Sequence, residues 1–442
     1  MELKLPKEYR QGFKDLNHFL KKGYAADIAD WLMELEQEQR EAALDQIDIE
    51  KMAEIASYLD YETSYYIAKY YNDRLLSEIL SLMHPDDAVD FLGTMPVGKV
   101  KQILRHMKSN QAAQLQRLLG YDEESAGGLM NTEYVAFYMD NTANQVLRKL
   151  RELNIEPEMI YYIYVISRNK ELMGVISVRQ LLSIEPETQL TEFMNEDVIR
   201  VEINMDQEEV AQILSKYDLL AVPVINKRRQ LMGIITFDDA MDVLEDEATE
   251  DMYKMAATAD VYNVKGGLWA IIRKRIPWLL ILLVGDLISG SVIKNFETSL
   301  QTVVALAFFI PVLMDMGGNV GTQSLTIVVR GLSTGDLEFS DFWNHLWREI
   351  KVGLILALII GVAITSIAYI WQGNSMIGMI VGMSMFSTLL MAVLVGTSIP
   401  FIMELLGADP AVASGPFITT IVDISGLFIY FTMATILLKN LL

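Results

Sequence analysis

The chain has 442 residues, no cysteine and four histidines, none of them close together in sequence. This excludes disulfides, iron–sulfur clusters, thiolate zinc and cysteine nucleophiles, and leaves no His pair for a soft metal. Its 36 basic and 58 acidic residues give a net charge of −22, yet the mean hydropathy is +0.25, a combination that requires two dissimilar parts. The charge lies before Asn263, where 48 acidic residues face 27 basic ones; from Asn263 onward the balance is ten to nine. So acidic a surface repels nucleic-acid phosphates and suits cations, so no nucleic-acid partner is expected.

Residues 1–128 show no strand-like alternation; apolar residues at helical spacing between polar turns predict short amphipathic helices, an all-α domain. Residues 1–10 lack an apolar core, so no signal peptide is expected. Asp27-Ile28-Ala29-Asp30-Trp31-Leu32 returns at an offset of 60 as Asp87-Ala88-Val89-Asp90-Phe91-Leu92, which predicts a superhelical stack of helical hairpins. His84-Pro85-Asp86 offers a cap and first turn for the later helix. Capping would account for Asp86 and Asp87, but Asp90, one turn beyond Asp86 on the same face, has no such role.

Residues 129–244 carry a second repeat. Glu171-Leu172-Met173-Gly174-Val175-Ile176-Ser177 matches Gln230-Leu231-Met232-Gly233-Ile234-Ile235-Thr236 at an offset of 59, and Met130-Asn131 to Met139-Asp140 is echoed by Met194-Asn195 to Met205-Asp206. Each copy reads as β-α-β-β-α, with a short polar turn between its last two strands. A unit of this order occurring twice resembles a tandem pair of CBS domains, an α/β fold. Such pairs bind adenine nucleotides through a Thr or Ser and an Asp three residues later. The second copy has Thr236 and Asp239, the first Ser177 but Gln180, so the resemblance implies ATP as a candidate cofactor at Thr236 and Asp239.

Next comes the densest charge feature: Asp238, Asp239, Asp242, Glu245, Asp246, Glu247, Glu250 and Asp251, with no basic residue until Lys254. Interspersed Met241, Leu244, Met252 and Met255 predict a long connecting helix over 245–266. Like charges one turn apart weaken a helix by ~0.2–0.5 kcal/mol each, so this face is either simply solvated or held by divalent cations. Its place directly before the first apolar span favours cations.

Five apolar runs follow, at 276–293, 298–314, 352–371, 375–403 and 411–438, each near the ~20 residues a bilayer requires, and predict a five-helix transmembrane domain over 267–442. Arg273, Lys274 and Arg275 precede the first run, and Arg330, Arg348 and Lys351 lie between the second and third; the other sides hold Lys294 and Lys439. The positive-inside rule then puts the N-terminus in the cytoplasm and the C-terminus outside, in a multi-pass protein of the cell membrane. Asp423 is the one charge in the last run, and an acid at mid-membrane is a functional candidate by default. A protonated or helix-bonded Asp423 is the alternative to a cation site. Pro311, read as a helix breaker, and Gly317, Gly318 and Gly321 follow the apolar part of the second run; glycines also permit close helix packing. Asp315, Asn319 and Gln323 recur at i, i+4 and i+8 on one face, the pattern of a hydrated lining, with Asp315 expected near the cytoplasmic end of its span.

A helical superhelix, a CBS pair, an acidic connecting helix, five spans, and the stretches Asp315-Met316-Gly317-Gly318-Asn319 and Asp409-Pro410 to Asp423 together resemble the MgtE family of magnesium channels or transporters. The resemblance implies a homodimer with a pore between protomers, lined by spans two and five, with Asp315, Asn319, Gln323, Thr419 and Thr420 along it. It implies pore magnesium held largely through water at Asp423. It also implies regulatory magnesium at Glu54, Asp86 and Asp90 of the superhelix, at Asp206, Glu208, Asp218, Asp239 and Asp242 of the CBS pair, and at Glu247, Glu250 and Asp251 of the connecting or plug helix. Part of the family carries Asn near the position of Gly415, so this chain departs from it where ion preference is shaped.

Carboxylate, amide and hydroxyl groups without thiol or imidazole suit a hard, hydrated ion such as magnesium; manganese or cobalt could follow the same path. The net −21 of the cytoplasmic half predicts feedback gating: at low internal magnesium the carboxylates repel and the domains separate, and at high magnesium bridging ions close the pore. A membrane-anchored metal or nucleotide sensor that conducts nothing is the other class of reading. Catalysis is not expected, since no nucleophile–base constellation or phosphate loop is present.

Overall fold

The computed structural model describes residues 15–152, 162–258, 267–297 and 303–439, in two compact units, Met1–Glu245 and Asp246–Leu442. The first unit begins with helices α1 (Leu16–Lys22), α2 (Ala25–Glu34), α3 (Gln37–Leu44), α4 (Ile49–Ala56), α5 (Tyr61–Tyr70), α6 (Asp73–Leu80), α7 (Pro85–Gly93), α8 (Val97–Leu104) and α9 (Ser109–Leu118). Asp15, Asp48, Asp60 and Asn72 are N-caps that accept a main-chain N–H three residues on, at 2.8 to 3.0 Å, each worth ~1 kcal/mol. Helices this short are marginal alone. Alternate helices pack on one another, α2 on α4, α4 on α6, α6 on α8, α5 on α7 and α7 on α9, which joins Ile28, Leu32, Ile55, Leu76, Ile79 and Leu92 in one superhelical core. Asp27 and Asp87, equivalent in the repeat, both lie in the first turn of their helices, α2 and α7.

After the short α10 (Ala126–Leu129), β1 (Ala136–Tyr138), α11 (Ala143–Glu152), β2 (Tyr162–Ile166), β3 (Leu172–Ser177) and α12 (Val178–Ser183) form the first β-α-β-β-α copy. The second consists of β4 (Val201–Glu202), α13 (Gln207–Lys216), β5 (Ala221–Ile225), β6 (Leu231–Thr236) and α14 (Phe237–Met255). In each sheet the first strand runs parallel and the third antiparallel to the central one. The copies exchange lead-in segments: Asn131 pairs with Ile234 of β6, and Asn195 with Val175 of β3. The repeated glycine of the Leu-Met-Gly motif is explained by that crossing, because a Cβ on Gly233 would stand 2.7 Å from the Asn131 carbonyl oxygen, and one on Gly174 2.7 Å from Met194 Sδ. The acidic run is not a separate helix beginning at Glu245: α14 is continuous from Phe237 to Met255. Residues 259–266, at the end of the expected connecting helix, lie outside the described residues.

The second unit contains α15 (Gly267–Asn295), α16 (Ile310–Ser333), α17 (Phe342–Gln372), α18 (Ser375–Leu405) and α19 (Gly415–Lys439). Five stretches, Ile271–Asn295, Val304–Ser333, Phe339–Gln372, Ser375–Leu405 and Gly415–Leu438, are long and apolar enough to cross a bilayer. Leu279, Leu283 and Leu287 on α15 and Ile355, Ile359 and Ile370 on α17 are exposed, apolar surface of the kind a bilayer covers. The second span runs well past its expected end at Met314. Its expected start, 298–302, lies outside the described residues; Pro311 falls in the first turn of α16 and begins the helix instead of breaking it, as its missing N–H allows. The helix then continues through the glycines to Ser333, so Asp315 stands well inside the span and not at its cytoplasmic end. Gly317, Gly318 and Gly321 persist in a helix because α19 closes on them: an added Cβ would lie 2.9 Å from Val422, 2.9 Å from Thr419 and 3.0 Å from Ile418, respectively. This is small-residue packing, the driving contact between helices in lipid.

Candidate functional site

The close α16–α19 seam positions Asp423. Its side chain is half-buried, and Oδ1 is buried with no hydrogen-bond partner among the described residues. The charges acting on it are Asp286 of α15 and Asp315 of α16, so three helices contribute one carboxylate each to the same region. Asp286 reaches it because α15 packs on α19, Gly285 against Thr420. Asp286 is the lone acid of the first apolar run, the same signal in the sequence that singles out Asp423. Asp315, Asn319 and Gln323 are exposed along one side of α16, and Asn319 Nδ2 donates to Asp315 Oδ2 at 3.2 Å. Thr419 and Thr420 each donate to the Pro416 carbonyl at 2.9 Å, which leaves their oxygens as acceptors only. Among the described residues no three His, Cys, Asp or Glu side chains approach closely enough to hold one ion directly. Carboxylates that share a region without touching fit an ion that keeps its water, as magnesium does.

At the end of α14, Lys254 Nζ lies 2.6 Å from both Glu250 Oε1 and Asp409 Oδ2, and Ser333 Oγ donates to Asp251 Oδ2 at 2.7 Å. A Cβ added to Gly415 would stand 3.3 Å from Thr322 Cγ2 and 3.4 Å from the Met255 carbonyl oxygen. The last turn of α14 thus meets the C-terminal end of α16 and the start of α19. Desolvation raises the Asp251 carboxyl, with Ser333 opposing. Burial pulls the Lys254 ammonium down, but its bonds to Asp409 and Glu250 outweigh this and raise it. Of the three acids matched to the plug helix, Glu250 is neutralised by Lys254 and Asp251 is bonded to Ser333; Glu247 is half-buried one turn earlier. Lys254, which only marked the end of the acidic run in the sequence, is its counter-charge.

A second acidic cluster lies inside the first unit, where α7 faces the start of α14. Asp86 Oδ1 is buried without a hydrogen-bond partner among the described residues, and desolvation, then the charges of Asp87 and Asp239, raise its carboxyl. Desolvation with Asp87, Asp239 and Glu123 nearby pushes Asp90 up to about 7, although part of it faces solvent. Asp239 rises to about 6, again mainly by desolvation, against a 2.5 Å hydrogen bond from Thr236 Oγ1. Asp242 is raised by desolvation and by Asp238 and Glu245. His84 Nδ1 lies 3.2 Å from Glu133 Oε2, and that bond lifts its imidazole to about 9.

The other matched residues are placed elsewhere. Glu54 pairs with Lys51 at 2.6 Å and is not among the charges acting on Asp87 or Asp90. Asp206 caps α13, accepting the Glu208 N–H at 2.9 Å, and Glu208 accepts from Gln212. Asp218 is exposed with φ +52°, a left-handed turn residue after α13. In the first copy Ser177 and Gln180 close a capping box at the position where Thr236 and Asp239 bond each other in the second.

Three family models cover most of the chain: MgtE, described as a divalent cation transporter, over residues 310–433, the MgtE intracellular N domain over 24–124, and the CBS domain over 126–187 and 190–246. Magnesium transporter MgtE of Bacillus subtilis is 36% identical over 94% of this chain and 92% of its own length. Magnesium transporter MgtE of Thermus thermophilus is 40% identical over 74% of this chain and 73% of its own. The crystal structure of the cytosolic domain of the Mg2+ channel MgtE in complex with ATP is similar at 34% identity and a TM-score of 0.50, over 54% of this chain and 97% of that one. With lone acids in its first and last spans, glycine-closed helices, a CBS pair and a superhelix in this order, the chain belongs to the MgtE family.

Proposed function

We propose that the protein conducts hydrated magnesium across the cell membrane as a homodimer and is closed by the same ion from the cytoplasmic side. The observation that carries this reading is Asp423: the one charge of its span, with an unpartnered buried oxygen, in the field of Asp286 and Asp315 from two other spans. An anchor for a sensor has no use for such a carboxylate, which is costly at mid-membrane. Asp315, Asn319, Gln323, Thr419 and Thr420 line the path, and the ion passes with its water. The N-terminus is cytoplasmic and the C-terminus outside, on the flanking Lys and Arg. No step of catalysis is involved.

The chain divides into the superhelix 1–128, the CBS pair 129–244, the plug segment 245–266 and the transmembrane domain 267–442. Internal magnesium is sensed where carboxylates are crowded, at Asp86, Asp90, Asp239 and Asp242, and the buried unpartnered oxygen of Asp86 fits a cation there. Glu54, Asp206, Glu208 and Asp218 supply further acceptors, and Glu247, Glu250 and Asp251 join plug to pore. Binding favours the closed arrangement only by its excess affinity for that state. Thr236 and Asp239 would hold the phosphate and ribose of ATP, in keeping with the nucleotide bound to the similar cytosolic domain. The family description as a divalent cation transporter favours a second reading, in which manganese and cobalt share the path. Metal flux into liposomes holding the purified full chain, with magnesium, manganese, cobalt and calcium compared, tests the reading: magnesium should lead, and absence of all flux would leave only the anchored sensor.

A further inference from the structure

Hydroxyls of the membrane-spanning helices mostly return to their own backbone: Thr326, Thr365, Ser366, Ser387 and Thr435 each donate to the carbonyl four residues back at 2.7 to 3.0 Å. Thr388 of α18 does not, nor do Ser384 and Thr397 of the same helix, but Thr388 is the one that enters the α16–α19 seam at Gly317 and Gly426. It is 1% exposed, and its Oγ1 is buried with no partner among the described residues. Its side chain enters the junction of α16 and α19 where both carry glycine: a Cβ on Gly317 would stand 3.0 Å from Thr388 Cγ2, and one on Gly426 2.8 Å from Cγ2 and 3.4 Å from Oγ1. The same Gly317 borders Val422, the residue before Asp423, at 2.9 Å. Gly426 follows Asp423 by one turn of α19, so the Thr388 hydroxyl and the inward Oδ1 of Asp423 sit on adjoining faces at neighbouring levels. Two buried oxygens of complementary capacity, one able to donate and one only to accept, both lack partners among the described residues, and buried water making ~3 hydrogen bonds is the usual solution in such a place.

We infer that Thr388 is a positioning residue for Asp423: its hydroxyl holds Oδ1 through one shared water, which turns Oδ2 toward the hydrated ion. The inference rests on Asp423 being the pore carboxylate. Glycine at 317 and 426 is what admits Thr388 to this junction, and Val at 388 would fill the same volume without the hydroxyl.

The test uses the full chain in liposomes, reading both the magnesium concentration for half-maximal flux and the maximal flux. T388V should raise the half-maximal concentration about tenfold, the loss of a hydrogen bond to a charged group, with maximal flux and thermal unfolding little changed. T388A should show the same rise, and T388S, which restores only the hydroxyl, should recover most of it relative to T388A. A native-like T388V together with a T388S no better than T388A would mean that the methyl and not the hydroxyl matters, and would overturn the inference. D423N separates the two levels: undiminished flux in D423N overturns the pore reading itself, whereas a dead D423N beside a native-like T388V overturns only the role of Thr388.

Discussion

Lys254 Nζ stands 2.6 Å from Asp409 Oδ2, and this bond joins the last turn of α14 to the segment that leads into α19. With Glu250 equally close, one ammonium bridges two acids and fixes the helix end beside the start of the fifth span. Part-exposed ion pairs are worth ~1 kcal/mol or less after solvent screening, enough to bias a switch. K254Q should therefore raise the internal magnesium concentration that half-closes the pore by several-fold, measured as flux into liposomes at stepped internal magnesium; an unchanged closing curve would remove Lys254 from the gate.

Asp251 poses a sharper question, because it was matched to a metal ligand and is also bonded to Ser333. S333A keeps every carboxylate but removes that bond, while D251N keeps a side chain able to bond Ser333 and removes the charge. If metal binding dominates, D251N weakens closure and S333A does not. If the helix contact dominates, S333A weakens it by about 1 kcal/mol, the usual size of such a bond, and D251N, which keeps the bond, does not.

The acidic cluster of α7 and α14 has a pH signature. Asp86, Asp90 and Asp239 hold their protons in the folded unit above the ordinary carboxylate range, Asp90 to about 7 and Asp239 to about 6. The folded state then binds more protons than the unfolded one between roughly pH 4 and 7, so stability falls as pH rises through that window. Without divalent cations the full chain should become more resistant to proteolysis between α7 and α14 as pH is lowered from 8 to 5. Saturating magnesium should flatten the profile by replacing protons. A flat profile without magnesium would mean the carboxylates are solvated.

The repeated glycines of the CBS pair give a prediction on stability alone. At Gly233 an added methyl meets the Asn131 carbonyl oxygen, which is part of a two-way main-chain pairing with Ile234; at Gly174 it first meets the flexible thioether of Met194. G233A should cost about 1–3 kcal/mol, the range for overpacking, and G174A distinctly less, as read by thermal unfolding.

Much of this fold is legible in the sequence because periodicity carries it. The 59-residue repeat specified both β-α-β-β-α copies, and the Asp27 and Asp87 hexapeptides fell at the same point of α2 and α7. What periodicity could not convey was context for glycine and proline. Gly317, Gly318 and Gly321 weaken a helix by propensity, yet α19 packs on them and the helix runs on to Ser333, which moved Asp315 inward. At the site, Asp423 and Asp286 stand out as lone acids, but nothing local to Thr388 announces its packing on Gly426, 38 residues away, and nothing local to Lys254 announces its second acid, Asp409, 155 residues away. Glu54, Asp206 and Asp218 show the reverse: acids that a family match selects, but whose local roles are an ion pair, a helix cap and a left-handed turn.

The most direct test of the account is magnesium flux through D423A in liposomes, beside the native chain at equal protein and with the fold of both verified by thermal unfolding. The account predicts that flux falls to the level of empty liposomes while D315N, with a second carboxylate still present at Asp423, keeps a measurable part of it. Native flux through a folded D423A would contradict the claim that the ion passes this carboxylate.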